Sequence, residues 1–320
     1  MMLKKALILL KYNFINFTKS SLIKKVSNVK TESEFTYNEQ PKISAIIQFF
    51  NKRQNISSLI NALRLAPIDE IIVIDDGSSD GSYQDWIEHL TRPNDFLIRS
   101  NDLYEVRTYS RAIDLARGEY IILLQDDDIP PASPNWVEDA ISLFETFPKL
   151  LVLGGRLALD LLIPDRINPG EDSAYKEEGN IAGTPGVNKY RIIRKPEFLI
   201  SEKNLPFMFA EYVNRAPMFL RKKEALDLGG ISQEFAPFQC DDADICIRAW
   251  LSGYQVGFYN SDFVRDVGVG GMRLFNKEAV PKQAIKNWQL IYSKYSGVIE
   301  SKKLNGLVAE SNSIFDKRLE

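Results

Sequence analysis

The chain has 320 residues, 44% of them hydrophobic and 11% aromatic, and a net charge of −3. That supply of apolar residues is enough to bury a core without disulfides or a structural metal. The acidic balance gives no electrostatic case for a nucleic-acid partner. Two cysteines are too few for a disulfide framework, and the single His89 excludes metal sites built on paired histidines.

Residues 1–29 mix Lys4, Lys5, Lys11, Lys19, Lys24 and Lys25 with Leu7, Ile8, Leu10, Phe14, Phe17 and Leu22, and carry no acid. The apolar run 6–10 is too short to span a bilayer. The segment reads either as a basic amphipathic helix on an anionic membrane or as a helix packed on the protein's own surface. With reduced thiols, the expectation is a cytoplasmic protein, with peripheral association at the inner membrane face as one alternative. A polar stretch, 30–41, ends in Pro41 and reads as a linker.

A regular alternation follows. Apolar runs predict strands at 42–50, 70–74, 96–99, 119–124 and 150–153, and helical periodicity predicts helices at 55–66, 83–90, 108–117 and 134–147. Such spacing indicates βαβ units and a parallel sheet, with ligands at the C-terminal strand edge. From 158 to 208 the pattern weakens, punctuated by Gly170, Gly179, Gly183, Pro185 and Gly186, and reads as long covering loops. A strand at 213–220, helices at 222–228 and 244–251 and a strand at 255–259 come next. The tail from about 281 is helical by pattern.

Three acidic clusters carry the chemistry. Asp75-Asp76-Gly77-Ser78-Ser79-Asp80 follows the second strand; by itself it also reads as a turn and helix cap. Asp126-Asp127-Asp128 follows a buried strand, where three adjacent carboxylates repel and a hard divalent cation would relieve them. Asp241-Asp242-Ala243-Asp244 opens a helix in which Asp244 and Arg248 are spaced to pair. Its acids suit the helix N-terminus, and one of them suits a general base. There is neither a P-loop nor a Gly-x-Gly-x-x-Gly turn after the first strand.

With these residues in view, the chain resembles the family-2 glycosyltransferases of GT-A fold over roughly residues 42–270. Gln48-Phe49-Phe50-Asn51-Lys52-Arg53 resembles the family's first-strand turn, with Gln48 in place of a proline. Ile74-Asp75-Asp76-Gly77-Ser78-Ser79-Asp80 matches its Val-Asp-Asp-Gly-Ser-x-Asp segment. Asp126-Asp127-Asp128 occupies the Asp-x-Asp motif. Gly229-Gly230-Ile231 and 241–248 are similar to its Gly-Gly-Phe and Glu-Asp-x-Asp-Leu-x-x-Arg segments.

The resemblance implies a nucleotide-diphosphate sugar donor such as a UDP-sugar, a glycan or lipid-linked hydroxyl acceptor, inversion, and Mg²⁺ or Mn²⁺. It implies Asp242 as catalytic base, Asp126 and Asp128 as metal ligands, and Asn51, Asp75, Asp76 and Asp127 on the nucleotide side. Tyr109-Ser110 stands where the family often has Arg-Asn, so Arg107 is the candidate for the missing charge. Asp266 stands where many members have a metal-binding histidine. Gln125 aligns with the motif's first acid in an alternative register, which makes Asp127 or Asp128 the main ligand. Glu211 and Arg215 are expected to shape the acceptor site.

The expected organisation is a basic segment and linker at 1–41, a GT-A domain at 42–280 and a helical tail at 281–320. The GT-A domain divides into a nucleotide-sugar half at 42–157 and an acceptor half at 158–280. The rival readings are a non-catalytic glycan- or nucleotide-binding protein on the same fold, and a sugar nucleotidyltransferase. The first has no need of a base, and the second lacks its glycine-rich first-strand loop here.

Overall fold

The structure, a computed structural model, describes residues 36–162, 175–180, 189–200, 204–215, 217–265 and 279–316. The chain divides into two compact units, and the unit formed by Glu39–Leu90 and Asn94–Glu320 holds every element named below. The basic segment read at 1–29 lies outside the described residues. Among those described, no helix is long and apolar enough to cross a membrane.

The main sheet begins with β1 (Ile43–Phe49), β2 (Glu70–Asp75), β3 (Asp95–Arg99) and β4 (Tyr120–Gln125), all parallel. The Val-, Ile- and Leu-rich runs of β1, β2 and β4 are buried along their whole length, as expected of parallel strands covered on both faces. Helices α1 (Ile56–Leu65), α2 (Ser82–His89), α3 (Tyr104–Leu115) and α4 (Asn135–Thr146) connect them. α1, α3 and α4 each bury an apolar stripe, for example Leu59, Ile60 and Leu63 of α1, while α2 buries Trp86.

A short β5 (Asp128–Ile129) precedes α4, and β6 (Leu150–Gly154) follows it. The next strands are β7 (Ala158–Leu162), β8 (Tyr175–Asn180), β9 (Lys189–Ile193), β10 (Phe198–Ile200), β11 (Leu205–Phe209), β12 (Tyr212–Val213) and β13 (Met218–Arg221). Helices α5 (Lys222–Asp227) and α6 (Asp241–Leu251), strands β14 (Gln255–Tyr259) and β15 (Val264–Arg265), and helices α7 (Ala279–Glu300) and α8 (Lys303–Asp316) complete the unit.

The main sheet has nine strands in the order β10-β11-β14-β6-β13-β4-β1-β2-β3. Only β11 and β13 run against the rest. This is the α/β, mostly parallel, helix-flanked sheet expected from the sequence.

Three expectations need correction. The stretch 158–208 is not a run of loops: β7, β8 and β9 join β12 in an antiparallel sheet of order β12-β7-β9-β8, and β10 and β11 extend the main sheet. Antiparallel ladders satisfy their backbone locally and need no continuous apolar run, and Gly179, read as loop punctuation, lies within β8. The single strand at 213–220 is two strands in different sheets, broken at Asn214 and Arg215. The helix placed at 244–251 begins at Asp241, because the three acids of its first turn belong to the helix.

The tail packs onto the domain. The Asn287 side-chain amide donates to the carbonyls of Phe235, Phe238 and Gln239, at 2.8, 2.8 and 2.9 Å. The Tyr295 hydroxyl donates to Asp244 at 2.6 Å. Phe315 of α8 joins Phe147, Phe207 and Phe209 in one aromatic cluster.

Candidate active site

The parallel strands β1, β2 and β4 end at one edge of the sheet, so Asn51, Asp75 and Asp126 leave the sheet side by side. Asp75 is fully buried, and its Oδ1 accepts the backbone N–H groups of Gly77 (3.0 Å) and Ser78 (2.7 Å). That Asx turn requires the positive φ of Gly77, +90°. The loops are laced together. The Asn51 N–H donates to Ser78 Oγ at 2.9 Å, and Asn51 Oδ1 accepts from the Ser79 N–H at 2.8 Å. Asp76 accepts from Ser100 Oγ and from the N–H groups of Leu103 and Tyr104, at 2.8 to 2.9 Å. Its carboxylate therefore holds the start of α3.

At the end of β4, Asp126 accepts the Phe50 N–H at 2.9 Å, and its backbone carbonyl accepts the Asn55 side-chain amide at 2.8 Å. Burial, reinforced by the charge of Asp127, pushes the Asp126 carboxyl up to about 8. Asp127 is half-buried. Asp128 is fully buried in β5 and faces Arg156, which follows β6, at 3.3 Å. β5 pairs with β15, setting Arg265 opposite Asp128 in the backbone register. Asp266 lies outside the described residues.

Among the described residues, no three His, Cys, Asp or Glu side chains gather into a group able to hold a metal ion. The donor chemistry of the triplet nevertheless fits a hard cation at Asp126, where positive charge would ionise a carboxyl that burial and Asp127 keep protonated. Asp128 would join only by exchanging Arg156.

The third cluster lies in the first turn of α6. Because β13 is antiparallel, the residues preceding it, Asn214 and Arg215, arrive at the edge where the parallel strands end. The Arg215 guanidinium is buried; it ion-pairs with Asp241, bonds Glu105 of α3 at 3.1 Å and lies 4.7 Å above the Tyr109 ring. Tyr109 is anchored by its hydroxyl to the Leu124 carbonyl at 2.6 Å. Burial lowers the Arg215 affinity for its proton, but the carboxylates of Asp241 and Glu105 outweigh it and hold the group above its usual range.

Asp242, next in sequence, is half-buried, and its Oδ1 accepts the Ala243 N–H at 2.9 Å. Burial pushes its carboxyl up, while Arg215 pulls it back. Asp244 is committed to structure, held by Arg248 at 2.8 Å, by Lys294 and by Tyr295.

A cavity of about 210 Å³ unites these groups. Glu105, Gln125, Asn214, Arg215 and Asp242 are among its polar lining residues, and Leu157, Leu159, Ile192, Tyr212 and Trp288 supply apolar and aromatic surface. Of the residues read from sequence, Asp242 and Arg215 meet there, beside Gln125 at the head of the acidic triplet. Arg107 is exposed on α3 and does not line it. Glu211 is buried, accepting the Leu161 N–H at 2.6 Å. The sequence reading missed Glu105, Arg156, Tyr212 and Trp288. Glu105 is one acid among many on a helix face, and only the aromatic content of the tail hinted at Trp288.

The protein is thus an α/β domain with a mostly parallel sheet and carboxylates gathered at its C-terminal edge, the edge at which open α/β sheets take their ligands. Residues 44–165 match the family model described as Glycosyl transferase family 2. The matched stretch runs from β1 past β7.

Among solved structures, Staphylococcus aureus TarS 1–349 in complex with UDP-GlcNAc is 17% identical, with a TM-score of 0.48 over 72% of this chain and 60% of that one. The mannosyltransferase PcManGT from Pyrobaculum calidifontis, in complex with GDP-Man and Mn²⁺, is 14% identical, with a TM-score of 0.49 over 75% of this chain and 61% of that one. The chain spans 37% of a longer TarS structure. No curated protein matches it by sequence.

Proposed function

We propose that the protein is a glycosyltransferase that moves a sugar from a nucleotide-diphosphate sugar to an acceptor hydroxyl with inversion. The observation that carries this reading is that Asp242 and Gln125, the residue heading the acidic triplet, line one cavity although they come from opposite halves of the chain. A base and a diphosphate site must lie within one substrate length of each other, and the shared lining by Asp242 and Gln125 supports that reading.

In this reading Asp242 accepts the proton of the acceptor hydroxyl. The freed oxygen attacks the anomeric carbon from the face opposite the diphosphate, and the bond from that carbon to the phosphate oxygen breaks with its electron pair on the leaving group. The raised Asp242 carboxyl is a stronger base than an ordinary aspartate, which brings it nearer the operating pH. Arg215, held by Glu105 and Asp241, keeps the neighbouring charge fixed. Asn51 and Asp75 hold the nucleoside side of the donor, together with Asp76 through the start of α3. A divalent cation held by Asp126 with Asp127 or Asp128, and by Asp266, would supply Lewis-acid stabilisation of the charge that develops on the diphosphate.

The test is donor turnover by the full-length protein, measured as nucleoside-diphosphate release from a panel that includes UDP-GlcNAc and GDP-Man, with Mn²⁺ and with EDTA. Release from one donor, suppressed by EDTA, is expected. Tight donor binding without release in the presence of any acceptor would turn the assignment towards a binding protein.

A further inference from the structure

We propose that the cavity beside Asp242 is an acceptor subsite for a single uncharged sugar ring, and that Trp288 of α7 is its platform. This rests on the glycosyltransferase reading above and adds the acceptor's chemical class and a specificity-determining residue.

The first support is the mixed composition of the lining. Trp288 and Tyr212, 6.0 Å apart and edge to face, stand with Leu157, Leu159 and Ile192 as the apolar part of the lining. The remaining part is carboxylate, amide and guanidinium. A pyranose matches such a mixed lining, with a C–H face that lies on an aromatic ring and a rim of hydroxyls that both donate and accept. At about 210 Å³ the cavity falls below the ~300–1,000 Å³ usual for drug-sized ligands, which suits one ring rather than an oligomer.

The second support is the state of two buried polar atoms. Asn214 Oδ1, an acceptor, and Arg215 Nε, a donor, are buried without a hydrogen-bond partner, and both residues line the cavity. A hydroxyl satisfies either need, whereas a phosphate or carboxylate oxygen answers only the donor.

The third support is charge. Glu105 and Asp242 line the cavity against the one guanidinium of Arg215, and Asp241 claims that guanidinium from the buried side. An anionic acceptor would meet uncompensated negative charge in a partly desolvated site.

Trp288 is half-buried on a helix whose register against the domain is held by Asn287, so its replacement leaves the anchor in place. The experiment compares full-length wild type with Trp288→Ala and Trp288→Phe. The acceptors are methyl glycosides of neutral hexoses, their uronate counterparts and hexose phosphates, each with the donor found active.

Neutral glycosides are expected to be used at least about tenfold better than the charged ones. Trp288→Ala is expected to raise the acceptor KM about tenfold with a smaller change in kcat and no change in donor Kd, and Trp288→Phe to recover most of it. An unmoved acceptor KM in Trp288→Ala, or a preference for charged acceptors, overturns the proposal.

Should wild type turn over no donor, the reading above fails separately, and saturation-transfer NMR with the methyl glycosides decides the subsite. Ring-proton contacts present in wild type and lost in Trp288→Ala sustain it. Equal contacts, or none in wild type, overturn it.

Discussion

Asp241 is ion-paired with Arg215, both side chains are buried, and the next residue in sequence, Asp242, opens into the cavity. Two adjacent aspartates on one helix turn thus have different surroundings, one paired with a buried guanidinium and the other lining the cavity.

The two substitutions therefore separate cleanly. Asp242→Asn keeps the shape but cannot take a proton, so sugar transfer is expected to fall by ~10²–10⁴ with donor Kd little changed. Asp241→Asn strips a buried guanidinium of a partner and is expected to cost ~3–5 kcal/mol of stability, visible as a large drop in melting temperature. If Asp242→Asn transfers at the wild-type rate, the base is elsewhere.

Metal and pH are linked at Asp126. Its carboxyl is raised to about 8 in the folded protein against ~3.9 in the unfolded chain. The stability it contributes is complete below about pH 4 and is lost as pH rises through about 8. In EDTA the melting temperature should fall between about pH 5 and about pH 9 more steeply in wild type than in Asp126→Asn. Mn²⁺ should restore much of the loss near pH 8. Superimposable pH curves for the two proteins would rule out the buried proton.

Asp75 and Asp76 should part in the same way. Asp76→Ala removes the acceptor for two backbone N–H groups at the start of α3, and a loss of ~0.5–2 kcal/mol is expected. Asp75→Asn is expected to weaken nucleoside-diphosphate binding, read by calorimetry at a temperature where both variants are folded. Binding unchanged in Asp75→Asn would remove it from the donor site.

The tail is expected to be integral to the domain. Asn287→Ala frees three carbonyls on the segment leading into Asp241 and should cost ~1–3 kcal/mol. It should also depress kcat through the loosened helix start. A variant as stable and as active as wild type would make the tail an appendage, as the boundary drawn at 281 implied.

The first half of the fold was legible because β1, β2, β4 and β6 are continuous apolar runs and α1 to α4 carry a clear helical period. The segment 158–208 was not, because short antiparallel strands of mixed polarity leave no run to count. The acids at 75–76, 126–128 and 241–244 stood out as residues, but their division of labour did not. Nothing in the spelling of Asp241-Asp242 says which one meets Arg215, since that guanidinium arrives from a strand break 26 residues upstream that read as uninterrupted strand. Trp288 was invisible as a cavity wall because the tail's docking depends on Asn287, whose acceptors lie about 50 residues earlier.

The place of β13 between β4 and β6 bears on how the chain comes off the ribosome. β6 has no direct neighbour among the strands made before it; it pairs only with β13 and β14. A nascent chain ending between residues 155 and 217 holds a four-stranded parallel platform and a hydrophobic strand, β6, whose sheet partners are not yet made. Such a strand edge is an aggregation hazard while it waits. A fragment cut at 157 is therefore expected to be a poor minimal domain, and expression of the first half alone should yield insoluble material that co-expression of residues 158–320 rescues.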